Sequence, residues 1–213
     1  MEPLTEANGY SSASAPTGKL VLELFGTEAP KTVEAFLSYI TPEPADSGPS
    51  YASSLFTRLV PGRQLDGGRI SGLNQISLAG SSQLQYFGRI FPATPSFESN
   101  ALRHDCRGLL TKSKLEAGPE FTITLGPCPE LDASNVVFGR VVEGEETLRA
   151  LEQVPLYSSG STQEEGSVAD NWYRAQRSAS LFVGRNVLRD ERAVDRTGTF
   201  LRRVDVVRCG RLK

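Results

Sequence analysis

The sequence predicts an all-β domain with two main helices and a helical insertion near the C-terminus. Three observations carry this. Short apolar or alternating runs bounded by turn residues recur from Lys19 to Leu212. Helical spacing before residue 157 is confined to two short segments. Asn171 to about Val187 then carries its own amphipathic pattern. At 213 residues the chain reads as one domain enlarged by an insertion, long enough to bury a core without staples. A net charge of −2 gives no global case for nucleic acid or a membrane surface as partner. No apolar run reaches the length of a membrane span. The 3 cysteines lack metal-ligand spacing, and an odd number argues against a complete disulfide framework, though one bridge stays open. No metal or cofactor is expected.

Met1 to Gly18 is polar, rich in Ser, Ala, Gly and Pro, and reads as a flexible lead-in to a domain over 19–213. Lys19 to Phe25 is a strand. Pro30 opens a helix at the position that tolerates proline, and Val33, Phe36, Leu37 and Ile40 give it one apolar face. Phe56 to Gly68 is an apolar strand with Arg58 in its middle, turning through Pro61-Gly62 and ending on Gly67-Gly68. A cation in such a strand is costly unless it is paired or faces a cleft. From Gly68 to Pro95 the chain is polar and reads as loop. Strands follow from Gly108, over Phe121–Leu125 and over Asn135–Val142. A second helix places Leu148, Leu151 and Val154 on one face, with Glu145 four residues before Arg149. Within the insertion, Asn171 to Val187 reads as an amphipathic helix with Trp172, Ala175, Ala179, Phe182 and Val183 on one side. Arg202 to Leu212 alternates and closes the chain.

Phe56-Thr-Arg-Leu-Val-Pro-Gly-Arg-Gln-Leu-Asp-Gly-Gly68 resembles the active-site strand of the cyclophilins, Phe-His-Arg-x-x-Pro-Gly-Phe-x-x-Gln-Gly-Gly. Other motifs follow in family order. Glu23-Leu-Phe with Pro30-Lys-Thr, Phe97-Glu98 through Cys106 with His104 on the family's histidine, Gly108-Leu-Leu-Thr, Asn135-Val-Val-Phe-Gly and Arg202 to Leu212 are each similar to a family segment. The resemblance covers Gly18 to Leu156 and Arg202 to Leu212. It implies an eight-stranded antiparallel barrel closed by two helices. The family's first strand has no counterpart in Met1 to Gly18, so that strand is missing or something else covers the barrel edge.

The resemblance also implies a chemistry. An X-Pro amide rotates slowly because its C–N bond is partly double. A site that prefers the twisted amide suffices, with no nucleophile, metal or cofactor. Arg58 falls on the family's catalytic arginine. The substrate-binding positions map to Phe56, Arg63, Gln64, Asp66, Ser113, Lys114, Glu120, Phe121, Thr122, Leu131 and Asn135. Arg63, Gln64 and Thr122 replace three apolar walls of the proline pocket, leaving Leu131. Asp66 and Glu120 replace glutamines, Lys112 a methionine, and Glu130 a tryptophan. Asp66 or Glu120 is expected to pair with Arg58 or Arg63 and to occupy the catalytic cation.

The expectation is a cyclophilin fold with weak or no isomerase activity. It would act as a binding, assembly or folding factor for a prolyl or charged peptide segment of a partner, with assembly contacts through 157–200. The alternative is a working prolyl isomerase that uses Arg58 with an unusual peptide preference. His104 could join a hydrolytic pair, but no nucleophile elbow accompanies it. The C-terminal arginines are interrupted by Asp190, Glu191, Asp195 and Asp205, which points to surface ion pairs rather than a nucleic-acid face. Phe182-Val-Gly184 and Arg189 to Ala193 resemble the tails of cyclophilins found in chloroplasts, several of them in the thylakoid lumen, and imply that location here.

Overall fold

The computed structural model describes residues 17–40, 48–78, 81–93, 95–157 and 197–212. Eight strands form one antiparallel sheet: β1 (Val21–Leu24), β2 (Ser54–Val60), β3 (Gln64–Gly67), β4 (Arg69–Ile70), β8 (Leu109–Ser113), β9 (Phe121–Thr124), β10 (Asn135–Glu143) and β11 (Thr199–Asp205). Their order is β1-β10-β8-β9-β3-β2-β11, with β4 on the start of β2. Side chains alternate between faces along each strand. One rung of the ladder is therefore Leu59, Leu65, Ile123 and Leu110, each no more than 1 % exposed. These apolar rungs face the core and fix the register, because a slip by one residue would put Arg58 and Asp66 inside.

Two helices cap this core. The first, α1 (Pro30–Ser38), sends Phe36 among Tyr51, Phe121 and Phe138 at ring separations of 4.9 to 5.5 Å. Its N-cap residue is Ala29, which has no side chain to accept the first N–H groups. Glu98 supplies the cap from the far loop: its carboxylate accepts from Lys31 N–H at 2.8 Å and from Thr32 N–H and hydroxyl at 2.7 Å. The second helix, α2 (Glu145–Glu152), buries Leu148 completely. Arg107 ties it to the barrel. Its guanidinium donates to both Glu152 oxygens at 3.1 and 2.7 Å, to Glu145 at 2.9 Å and to the Leu125 carbonyl at 3.0 Å.

The structure corrects the reading of 68–95 as loop. Residues Leu73–Leu78 (β5), Ser81–Tyr86 (β6) and Arg89–Pro92 (β7) form a separate three-stranded antiparallel sheet. Phe87 and Gly88, at φ 45° and 81°, make the two-residue turn between β6 and β7, the geometry that matches strand twist. Leu84 is buried here, whereas Phe87, Ile90 and Arg89 are exposed, so the period-two signal is weak.

The last strand also shifts. It runs over Thr199–Asp205 and ends before the Cys-Gly pair, instead of spanning Arg202 to Leu212. Among the described residues β1 and β11 are the two ends of the sheet, with no strand between them. A first family strand would lie within 1–18, of which 1–16 fall outside the described residues. The amphipathic helix expected from Asn171 to Val187 falls outside them as well. The three cysteines are free; Cys106 is exposed and Cys128 buried.

Candidate functional site

The rung next to the core rung is polar. It runs Thr199, Arg58, Asp66, Thr122, Thr111 across β11, β2, β3, β9 and β8, on the outer face of the sheet. Half of that face is roofed. The loop ahead of β8 brings His104 Nε2 to 2.7 Å from the Thr111 hydroxyl, and the Cys106 carbonyl to 2.8 Å from that of Thr124. In the other half, Arg58 is exposed and Gln64, Asp66 and Thr122 are partly buried.

Arg58 is exposed and makes no hydrogen bond or ion pair with any described residue. Asp66 stands opposite it in the β2–β3 ladder and does not close on it. Instead its Oδ1 accepts from Thr122 Oγ1 at 2.8 Å and from Gln64 Nε2 at 3.0 Å. Burial pushes the Asp66 carboxyl up; the Thr122 and Gln64 hydrogen bonds and the Arg58 charge offset this only in part. The expected pairing is corrected at Arg63 too. Its guanidinium, at the turn after β2, donates to Glu130, and both side chains stay about half exposed. That hydrogen bond pulls the Glu130 carboxyl below its ordinary range. Glu120 pairs with neither arginine; it lies toward the Lys112 and Tyr51 end of the barrel, where its charge acts on both.

The remaining positions separate into groups. Leu131 ends the short turn Pro129–Leu131 and is partly exposed. Ser113 and Asn135 face each other at the β8–β10 end. Lys114 donates its ammonium to the Asp132 and Ala133 carbonyls at 3.4 and 3.1 Å, which tethers the residues just after that turn. Phe121 is a core residue, 8 % exposed, its ring nearly perpendicular to those of Phe36, Tyr51 and Phe56. Phe56 is half-buried against it.

His104 sits in an Asp132–His104–Thr111 line that resembles a hydrolytic relay in outline. Its Nδ1 is 2.7 Å from Asp132 Oδ1, and since a carboxylate only accepts, Nδ1–H donates. The Thr111 hydroxyl has no exposure and also lies 3.1 Å from the Val136 carbonyl. A nucleophile there is out of any substrate's reach, so the line is a structural network.

Sequence reasoning missed three features. Arg63 and Glu130 stand on apolar family positions and carry opposite charges, a compensation visible once both are mapped. Lys112 points into the barrel, its ammonium donating to the Gly118 carbonyl, and burial lowers its pKa against the pull of Glu120 and Glu116. Gly198, just before β11, packs beside Arg58. Among the described residues no cluster of His, Cys, Asp and Glu could hold a metal ion, and no helix is long and apolar enough to cross a membrane.

Comparison with known proteins points to one family. The family model described as cyclophilin type peptidyl-prolyl cis-trans isomerase/CLD matches residues 11–170. "Peptidyl-prolyl cis-trans isomerase H" of Mycosarcoma maydis is 36% identical over 145 residues, covering 66% of this chain and 87% of that protein. "Peptidyl-prolyl cis-trans isomerase-like 2" of Cryptococcus neoformans is 34% identical over 160 residues, 73% of this chain. The chain spans only 25% of that protein's length. A solved cyclophilin type isomerase from Cryptosporidium parvum, crystallised in the presence of the dipeptide Ala-Pro, is 28% identical with a TM-score of 0.45, covering 66% of this chain and 82% of its own. With the sheet, the two capping helices and the arginine strand in family order, the chain belongs to the cyclophilin-type peptidyl-prolyl cis-trans isomerase family.

Proposed function

We propose that this chain is a cyclophilin-type protein-binding or folding factor whose cleft seats a polar or charged, proline-containing peptide segment and turns it over slowly. One observation carries the reading: the ring-pocket positions are polar and already engaged. Arg63 is held by Glu130, while Gln64 and Thr122 both donate to Asp66. Seating a proline ring there forfeits apolar burial worth about 1.5–3 kcal/mol per lost wall. One such wall is already a tenfold or larger loss in affinity, at about 1.4 kcal/mol per decade.

A second reading, a working isomerase of unusual preference, rests on Arg58 itself. It is exposed and unpaired among the described residues, so it is free to donate at a prolyl nitrogen. Two-dimensional exchange NMR on a set of Xaa-Pro peptides separates the two. The first reading expects peptide-induced shifts at Arg58 and Leu131 with exchange close to the uncatalysed rate, and little change in Arg58→Ala. Ordinary cyclophilin rates in wild type, lost in Arg58→Ala, establish the second.

The proposal extends to assembly contacts through 157–200 and to residence in the chloroplast, in the thylakoid lumen. A pull-down from chloroplast extract with 158–196 replaced by a Gly-Ser linker tests the first. Import and fractionation of the full-length precursor tests the second. Loss of partners on replacement supports assembly through this segment; unchanged partners refute it.

A further inference from the structure

The segment before β11 does not simply return to the sheet; it closes a neck beside Arg58. Tyr157 N–H donates to the Thr199 carbonyl at 2.7 Å, Gly198 N–H to the Tyr157 carbonyl at 3.0 Å, and Leu201 N–H to the Pro155 carbonyl at 2.9 Å. Leu156 and Phe200 form a bridge between them. Leu59 N–H then donates to the Gly198 carbonyl at 2.8 Å, which fastens the neck to β2 one residue from Arg58. Gly198 has φ +81°, a conformation that L side chains rarely adopt. A Cβ built on it would meet the Leu59 carbonyl at 2.7 Å and lie 3.5 and 3.6 Å from Arg58 Cγ and Nε.

The Arg58 side chain makes no hydrogen bond or ion pair among the described residues, so its guanidinium is directed only by the Asp66 charge across the ladder and by what packs beside its stem. On the β11 side Gly198 lies beside that stem, near enough that a Cβ there would touch Arg58 Cγ and Nε. We infer that Gly198 is the positioning residue for Arg58, and that the neck between 155–157 and 198–201 sets the arginine's direction over the cleft. This rests on the reading above that Arg58 meets the bound peptide. A side chain at 198 forces the neck away from the Leu59 carbonyl and from the Arg58 stem. Displacements on the order of 1 Å at a reacting group can cost about a hundredfold in rate.

The test is a double-mutant cycle on the full chain with Gly198→Ala and Arg58→Ala. Gly88→Ala serves as control: it sits at φ +81° on the β6–β7 turn with nothing within 4 Å of its Cβ. The readouts are the Arg58 Nε–Hε NMR signal and the dissociation constant for an Xaa-Pro peptide. The expected result is a shifted and broadened Arg58 signal in Gly198→Ala. Peptide affinity falls about tenfold, and that loss disappears when Arg58 is already alanine. Gly88→Ala shows neither effect. An Arg58 signal unmoved by Gly198→Ala overturns the inference, as does a loss of equal size in the Arg58→Ala background. Failure of wild type to bind any peptide refutes the functional reading instead, while the Arg58 signal still reports on the neck.

Discussion

Replacing Glu98 with glutamine removes a helix cap delivered from 66 residues away in sequence. The carboxylate accepts two backbone N–H groups and the Thr32 hydroxyl, all at 2.7 to 2.8 Å, at a helix whose own N-cap, Ala29, offers nothing. Hydrogen bonds to a charged group contribute about 1.5–3 kcal/mol each, and losing a side-chain cap costs about 0.5–2 kcal/mol. Glutamine keeps one acceptor and turns an amide NH₂ toward the other donors, so part of the contact survives. The working figure for Glu98→Gln is therefore about 2 kcal/mol. For a chain of this size that is a fall in Tm of about 4–8 °C.

The pH dependence follows from the direction of the shift at Glu98. Burial raises its pKa, but the Thr32 hydroxyl and the Lys31 and Thr32 N–H groups outweigh it, so the net shift is down. A depressed carboxyl contributes stability that is present above the unfolded pKa of about 4.3 and lost as pH falls through the folded value. Urea denaturation of both proteins at pH 7 and in steps below pH 4.5 reads this out. The gap between them is expected to be full at pH 7 and to close on acidification. A gap below about 0.5 kcal/mol at pH 7, the size of an ordinary surface change, refutes the capping argument. So does a gap that persists unchanged below the folded pKa.

Two further outcomes are expected. Lys112→Met should stabilise the fold by about 1 kcal/mol at pH 7, since an apolar group of similar volume replaces a buried, poorly compensated ammonium. Burial lowers the lysine pKa, so its penalty applies while the unfolded lysine is charged and fades as pH rises toward the ordinary lysine range. Urea midpoints at pH 7 and pH 10 should show the gain and its shrinkage, and a destabilised variant at pH 7 refutes it. Arg107→Ala should cost about 1.5–3 kcal/mol through the lost charge-assisted hydrogen bonds. Hydrogen exchange in α2 should accelerate more than in β3 and β9; uniform acceleration would mean that Arg107 does not pin the helix in particular.

The fold was legible where one face of a strand is buried. Phe121 to Leu125 alternates with threonines and predicts β9 within a residue, and the apolar runs from Phe56 and Gly108 place the starts of β2 and β8 within two residues, although β3 reads as the end of the β2 stretch. It was illegible over 73–92, where several outward apolar residues and many glutamines and serines blur the alternation, and where Phe-Gly replaces the usual Asn-Gly turn signal. At the site, family order located Arg58, but pairing could not be read from it. Asp66 looked like the natural partner of Arg58 and is directly across from it, yet Thr122 and Gln64, closer at hand, take its oxygen. Which of several nearby charges close on each other depends on side-chain reach across the ladder, and sequence spacing does not encode that. Lys112 carried a polar signal at a core position that only the register resolves.

The neck has a consequence for how this chain can vary. Tyr157 and Gly198 are joined by backbone hydrogen bonds, so whatever lies between them begins and ends at one fixed point on the barrel. Closing a longer flexible loop there costs only about 0.6 kcal/mol for each doubling of its length. The barrel is thus largely insulated from the length of that tract, and the position is a natural port for grafting foreign sequence. It also sets the port beside the arginine: cargo of any size placed between the two anchors enters the fold next to Gly198.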